Sequence, residues 1–328
     1  MNFRTELNIL PSKQKLSHND GIFLIGSCFS QNIGEYLKSY KFDVHINPFG
    51  NIYNPVSIAN VIEMTCALDR VNENDMWESH GVFVHPSFHS TLGRLDIDEA
   101  IRAINSTIEQ THLLLQSART IIITLGTSLA YRYKSTMQLV ANCHKVPAAM
   151  FDPVVIDIDH GTDVLGLALG VLRRLNPSIN IVLTISPVRH IKDGIIQNAR
   201  SKAGLIGMVD QLQKSEQSIT YFPSYEWMMD DLRDYRYYED DMIHPNGQAI
   251  AYIWAKFKDH YFDAETKILL DKIDQINKAC RHKPFNPNSK EHKKFCQVTI
   301  RQINQLVSLY PELDFSAELD LLSTQQDD

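Results

Sequence analysis

The chain has 328 residues, 44% of them hydrophobic, with 32 Lys+Arg against 39 Asp+Glu for a formal net charge of −7. That length and apolar fraction suffice for one large core or two modest ones, and exclude a disordered chain, a collagen or a disulfide scaffold. Net acidity with only short basic runs, such as Arg173-Arg174 and Lys293-Lys294, argues against a nucleic-acid partner, because phosphate neutralisation needs clustered Lys and Arg.

The leading segment MNFRTELNILPSKQKLSHND has no apolar stretch and no small-residue cleavage site, so no secretory signal is expected there. No apolar run approaches the ~20 residues that span a bilayer, so no membrane partner is expected. Cys28, Cys66, Cys143, Cys280 and Cys296 are an odd, scattered set without a CxxC pair. Reduced thiols in a cytoplasmic protein account for that pattern.

Residues 22–25 (IFLI) form a short apolar run ending at Gly26, and Ile33, Tyr36, Leu37 and Tyr40 follow at helical spacing, with Ser30 as the expected N-cap. The pattern recurs. Residues 96–118 place Ile97, Ile101, Ile104, Ile108 and Leu115 on one face before the buried strand TIIITLG (120–126). A helix over 162–175 precedes a strand within 180–187, and a helix over about 199–215 precedes a strand at ITYF (219–222). A further helix is expected from about Asn246 to Phe257. Apolar strands alternating with amphipathic helices predict a parallel sheet covered on both faces, with ligands bound beyond the carboxyl ends of the strands. The turns after Ile25, Leu125, Ile185 and Phe222 are therefore where a site is expected.

The tail reads differently. Leu269, Ile273, Ile276 and Cys280 predict one helix, and Cys296, Ile300, Ile303, Val307 and Tyr310 another, joined by the Pro-punctuated HKPFNPNSK. This predicts a helical hairpin extension over 261–328 behind a main domain at 1–260. TQQDD would be a polar end.

Common catalytic signatures are absent: there is no GxxxxGK[ST], no GxGxxG after a strand, no HExxH and no GxSxG. His85 and His89 sit at i, i+4, but Pro86 between them removes the helical face that a zinc pair would need. They read as partly buried structural histidines, with His89 also a candidate for a cleft. GSCF (26–29) is the first positive signal. A thiol at a helix N-terminus has its thiolate favoured by the dipole, so Cys28 is expected to have a depressed pKa and to serve as a nucleophile. Ser27 is the alternative if a base reaches it. DMIHPNGQA (241–249) is the second. His244 can take and return a proton near neutral pH, and Asp241, three residues earlier, can hold its other nitrogen. Pro245 suits the first helical position. A rival pair, Asp157–His160, lies mid-chain, whereas Asp241–His244 follows the last strand.

Three other polar clusters stand out: NPFGNIYNP (47–55), LGTS (125–128) and VANCHKVP (140–147). Gly50 and Gly126 allow close backbone approach, and Asn51, Ser128 and Asn142 can donate to an oxyanion. As turn chemistry alone, NPFGN and YNP need no further role.

Taken in order, GSCFSQNIGEYL, NPFGNIYNP, LGTS, VANCHKVP, SPVRHIKDG and YFPSYEWMMDDLRDYRYYEDDMIHPNG resemble the GSCFA-domain proteins of the SGNH (GDSL-like) hydrolase superfamily. The resemblance covers about 20–260, and the tail is similar to the carboxyl extension that such bacterial proteins carry. It implies a three-layer α/β/α sandwich with a central parallel sheet, of flavodoxin-like SGNH architecture. It also implies a nucleophile after the first strand, oxyanion donors from that turn, a glycine after the second strand and a GxN-type asparagine, and a closing DxxH. On this sequence Asp241 and His244 match the last motif and Gly50 the glycine. Gly126-Thr127-Ser128 matches GxN in part, with Ser128 where Asn stands, and Asn142 is a possible substitute. GSC against GDS puts Cys28 at the nucleophile position and Ser27 where Asp stands.

The expected activity is hydrolysis of an acyl ester on a small or carbohydrate-like substrate through a Cys/Ser–His–Asp triad, with no metal or organic cofactor required. The alternatives are an O-acyltransferase using the same triad, and a binding or scaffold protein whose SGNH site has decayed.

Overall fold

Every residue of Ile22–Gly26 is buried, as a strand covered on both faces must be. The computed structural model describes residues 5–327, with side chains up to Gln325. In chain order the elements begin with β1 (Ile22–Gly26), α1 (Cys28–Ser39), β2 (Val44–Ile46) and α2 (Pro55–Ala67). β3 (Trp77–Ser79), β4 (Val82–Val84), α3 (Ile97–Ser117), β5 (Thr120–Leu125), β6 (Leu129–Tyr133), β7 (Leu139–Val140) and β8 (Phe151–Val155) come next. Then follow α4 (Ile158–Leu175), β9 (Asn180–Ile185), α5 (Ile195–Ser215), β10 (Ile219–Phe222), the single turn α6 (Ser224–Glu226) and α7 (Gly247–Tyr261). The tail holds α8 (Ala264–Arg281), α9 (Lys290–Leu309) and α10 (Ser316–Asp327).

Five strands make one sheet in the order β10-β9-β5-β1-β2, every pairing parallel. Taken in chain order, the first of these strands lies between the second and the third. That is the flavodoxin-like doubly wound order, and its switch point falls between β1 and β5. Right-handed crossovers then send α1 to one face and the helices between β2 and β10 to the other. The core between that second group and the sheet joins Phe23, Ile25, Ile121, Ile123, Ile181 and Leu183 to Ile58, Ile62, Ile104, Leu165, Leu169 and Leu205.

Local chemistry explains the element ends. Asp96 caps α3 by accepting the Glu99 amide, and Asp157 caps α4 by accepting the His160 amide. Asn54 caps α2 with Pro55 in its first turn, so YNP is a helix start. α1 begins at Cys28, earlier than the predicted Ser30 cap. Ser27 Oγ accepts the Phe29 amide at 3.3 Å, while Ser30 Oγ is drawn inward to Thr124 Oγ1 at 2.7 Å. α7 starts at Gly247 because the Asn246 side chain accepts the Gln248 and Ala249 amides, leaving Pro245 outside the helix in a bridge to Tyr238. β3 and β4 form a hairpin turned by His80 and Gly81, both at positive φ, as a type I′ turn requires. β7-β6-β8 form a small antiparallel sheet. These short, half-exposed strands carry too weak an alternation to be predicted from sequence.

The chain divides into two compact units. The first runs to Ile9 and adds Gly21–Gly34 and Val44–Lys256, so it contains the whole parallel sheet. The second comprises Leu10–Asp20, Glu35–Asp43 and Phe257–Asp328, so it draws on early residues that a single cut near 260 would leave with the main domain. Within it, α8 buries Leu269, Leu270, Ile273 and Ile276, and α9 buries Cys296, Thr299, Ile303 and Leu306. α10 adds Leu322 and runs on to Asp327 within the predicted polar end TQQDD, of which Asp328 lies outside the described residues. Lys41 Nζ pairs with Glu318 at 2.7 Å and lies over the Phe315 ring. His18 stacks on Phe42 at 4.0 Å. Among the described residues, no helix is long and apolar enough to cross a membrane.

Candidate active site

A cavity of about 270 Å³ opens at the switch point, lined by Ser27, Cys28, Tyr53, Gly126, Thr127, Ser186, Val188, Arg189, His190, Ile243 and His244. Three of these groups follow directly from β1, β5 and β9, the carboxyl ends at which doubly wound sheets bind ligands. Ser27, Cys28, Gly126 and His244 were expected there. Ser186 lies in the turn after Ile185, where a site is expected, whereas Tyr53, Arg189 and His190 are not among the expected site residues.

The turn after β1 is clamped from both sides. Gly26 has φ +137°, and a Cβ there would lie 2.2 Å from the Thr124 carbonyl oxygen, so only glycine lets β1 run this close to β5. Its amide donates to Asn47 Oδ1 at 2.9 Å, its carbonyl accepts from the Ile52 amide at 2.9 Å, and the Ser27 amide donates to the Thr124 carbonyl at 3.0 Å. Ser27 is buried, and Cys28 is half-buried at the first position of α1. Burial pushes the Cys28 thiol up, against opposing pulls from its own amide, from the Lys202 charge and from the Phe29 amide. The depressed thiol expected from the helix start is therefore not what the fold produces, because desolvation outweighs the dipole.

Asp241 and His244 lie on a tight loop before α7, where Met242 takes φ +57° and its amide donates to the Glu239 carbonyl. His244 Nδ1 donates to Asp241 Oδ2 at 2.6 Å. Asp241 Oδ1 accepts the amides of Ile243 at 2.8 Å and His244 at 3.0 Å. The His244 amide and ring bonds, with that from the Ile243 amide, hold the Asp241 carboxyl down to about 2. With Nδ1 held by the carboxylate, Nε2 is the ring nitrogen left to serve the cavity. Arg189 fastens this loop: its amide donates to the Ile243 carbonyl at 3.2 Å, and its guanidinium donates to the Met242 carbonyl and stacks over Tyr238. The rival Asp157–His160 is a helix cap, with Asp157 Oδ1 accepting the His160 amide at 2.8 Å.

The expected oxyanion donors are placed otherwise. Gly50, Asn51, Ser128, Asn142 and His89 do not line the cavity. The Gly50 amide donates to the Asn47 carbonyl at 2.7 Å, and the Gly126 amide to the Tyr53 carbonyl at 2.7 Å. The Ser128 amide is taken by Ser201 Oγ at 2.7 Å. Asn142 Oδ1 accepts the His144 amide. His89 Nδ1 accepts the Thr91 amide at a short helical turn, and its Cβ sits where a side chain at Gly50 would go. His85 is buried, accepts the Ser87 amide on Nδ1, and is lowered by burial to about 4.

Asn51 acts one step away. Gly26 N–H donates to Asn47 Oδ1, Asn47 Nδ2 donates to Asn51 Oδ1 at 2.9 Å, and the Asn51 side chain bonds the Tyr53 phenol. This amide relay aims Tyr53 from the loop that supports Gly26. Tyr53 reaches the cavity through this chain of partners, which no spacing in the sequence encodes.

A hydroxyl–thiol turn after the first strand and a histidine after the last line one cavity at the switch point of a doubly wound α/β fold. The chain belongs to the GSCFA family: residues 21–257 match that family, and residues 273–327 match the GSCFA domain protein, C-terminal domain. None of the curated proteins matches the chain. Among solved structures, it is similar to an acetyl esterase mutant holding an acetate ion (TM-score 0.34, 11% identity, 78% of this chain and 99% of that one). It is also similar to a carbohydrate esterase family 3 protein from Talaromyces cellulolyticus (0.34, 10%, 78% and 99%). A third is an acetyl xylan esterase from the rumen bacterium Butyrivibrio proteoclasticus (0.37, 10%, 79% and 66%).

Proposed function

We propose that the protein hydrolyses small acyl esters, with Cys28 as nucleophile, His244 as general base and acid, and Asp241 as the group that orients His244. The observation that carries this reading is the shared cavity of Cys28 and His244, with His244 Nδ1 held by Asp241 at 2.6 Å. Because burial keeps the Cys28 proton on sulfur, attack requires that proton to pass to His244 Nε2 as the sulfur–carbon bond forms. The carbonyl oxygen becomes an oxyanion, for which the Cys28 amide and the Tyr53 hydroxyl are the donors available at the cavity wall. Collapse breaks the ester C–O bond, and the leaving alkoxide takes the proton from His244. Water then attacks the thioester while giving its proton to His244, the acid leaves, and the proton returns to the thiol. Ser27 is the less suited nucleophile because its oxygen already caps α1. The small cavity fits a short acyl group.

The test is turnover of 4-nitrophenyl acetate by purified wild type, Cys28→Ala, Ser27→Ala and His244→Ala. Loss in the Cys28 and His244 variants, with Ser27→Ala active, is expected. Activity surviving in Cys28→Ala but lost in Ser27→Ala would make Ser27 the nucleophile. Turnover no faster than buffer in all four proteins would leave a binding protein.

A further inference from the structure

Helix α5 carries its buried face on Asn198, Ser201, Lys202, Leu205, Met208, Val209 and Leu212. The lower part of that stripe is apolar, as a core-facing helix should be. Its upper part, beside the carboxyl ends of the strands, is polar. Lys202 is 1% exposed, and its Nζ donates to the Gly126 carbonyl at 2.7 Å and the Ser186 carbonyl at 2.7 Å. Those two residues follow β5 and β9 and line the cavity, so the ammonium lies beneath the cavity floor.

An ammonium taken out of water is costly unless an opposite charge lies near. Among the described residues no carboxylate pairs with Lys202. The groups facing it and Cys28 are Tyr225, whose ring lies 5.6 Å from Nζ, with Tyr53, Arg189, His190 and His244 around the cavity. None of these is a carboxylate, and Asp241 is committed to His244. The side chain in reach that becomes an anion in the proposed reaction is Cys28.

We propose that Lys202 is a positioning residue that supplies the counter-charge for the anion formed at Cys28, acting from under the cavity floor. This rests on the reading of Cys28 as the nucleophile. Its electrostatic basis is reciprocal: the Lys202 charge pulls the Cys28 thiol down, and Cys28 pulls Lys202 up, while burial brings Lys202 to about 7. A lysine that only tied β5 to β9 would affect stability and leave the acidity of the thiol alone.

The experiment measures iodoacetamide alkylation of Cys28 against pH, read at the Cys28 peptide by mass spectrometry, in wild type, Lys202→Met and Lys202→Gln. Glutamine keeps neutral N–H donors without the charge. Below about pH 7, where Lys202 carries its charge, alkylation is expected to be roughly tenfold slower in both variants than in wild type. An unchanged rate at about pH 6 in either folded variant overturns the proposal, whatever its melting temperature. Should neither variant fold, the wild-type profile decides. A break near pH 7, where Lys202 loses its charge, supports the coupling, and an unbroken rise with pH refutes it. Neither measurement reads ester turnover, so failure of the esterase reading and failure of this coupling are separate results.

Discussion

Asp241 holds His244 at two points, its Oδ2 accepting the ring Nδ1–H at 2.6 Å and its Oδ1 accepting the backbone amide at 3.0 Å. One carboxylate therefore shapes the loop and selects the tautomer, although both side chains are nearly half exposed.

Asp241→Asn should separate these roles. The amide oxygen can still accept the backbone amides, but an NH₂ group facing Nδ1 favours the tautomer with Nε2 protonated, which cannot take the thiol proton. Turnover of an activated ester should fall by up to about 10⁴-fold, with the fold retained by circular dichroism.

The same carboxylate gives a pH signature. Its folded-state value of about 2 lies below the ordinary 3.8, so its stabilisation is complete above about pH 4 and is lost as pH falls through about 2. The melting-temperature difference between wild type and Asp241→Ala should be constant above pH 4 and shrink below it.

His85 shifts stability in the same direction but for a different reason, burial. Burial holds it at about 4 against the ordinary 6.5, so the unfolded chain binds the extra proton between those values and stability falls as pH drops from 6.5 towards 4. His85→Asn offers Oδ1 to the Ser87 amide in place of Nδ1. Its melting temperature should decline less steeply across that window, and an equal slope would contradict this account.

Asp157→Ala should cost about 1 kcal/mol of unfolding free energy, as loss of a helix cap does. Ester turnover should be unchanged in both Asp157→Ala and His160→Ala. A large activity loss in His160→Ala would transfer the base role to that histidine.

Gly26→Ala and Gly81→Ala compare clash with strain. Both positions have positive φ, but a Cβ at Gly81 meets nothing within 4 Å, whereas at Gly26 it meets Thr124 O at 2.2 Å. Gly81→Ala should cost about 1–2 kcal/mol in denaturant melts. Gly26→Ala should cost far more and yield little soluble protein.

What the sequence determined by itself lies in short-range physics. The apolar runs at 22–25, 120–125 and 181–185 specify buried strands because no shorter pattern satisfies both faces of a covered sheet. Asp241 and His244 meet because three residues of tight loop leave their side chains within reach. The capping role of Asp157 is likewise local, yet the same DxxH spacing left it a rival until the helix start was seen. Tertiary structure decided the rest. Gly126 was a plausible oxyanion donor until the Tyr53 carbonyl, from a distant segment, took its amide, and Ser128 was one until the fold left it out of the cavity wall. Gly50 lost its amide to a turn within its own motif. Cys28 was expected to be acidic from its helix start, but burial, a property of the whole packed site, reversed the sign. Lys202 stands in line with the apolar face of α5, but its meaning required two carbonyls just after β5 and β9 to converge on it. Periodicity and caps depend on neighbours a few residues apart. The competition for each hydrogen bond and the balance between charge and desolvation depend on which remote segments the fold brings to the same few ångströms.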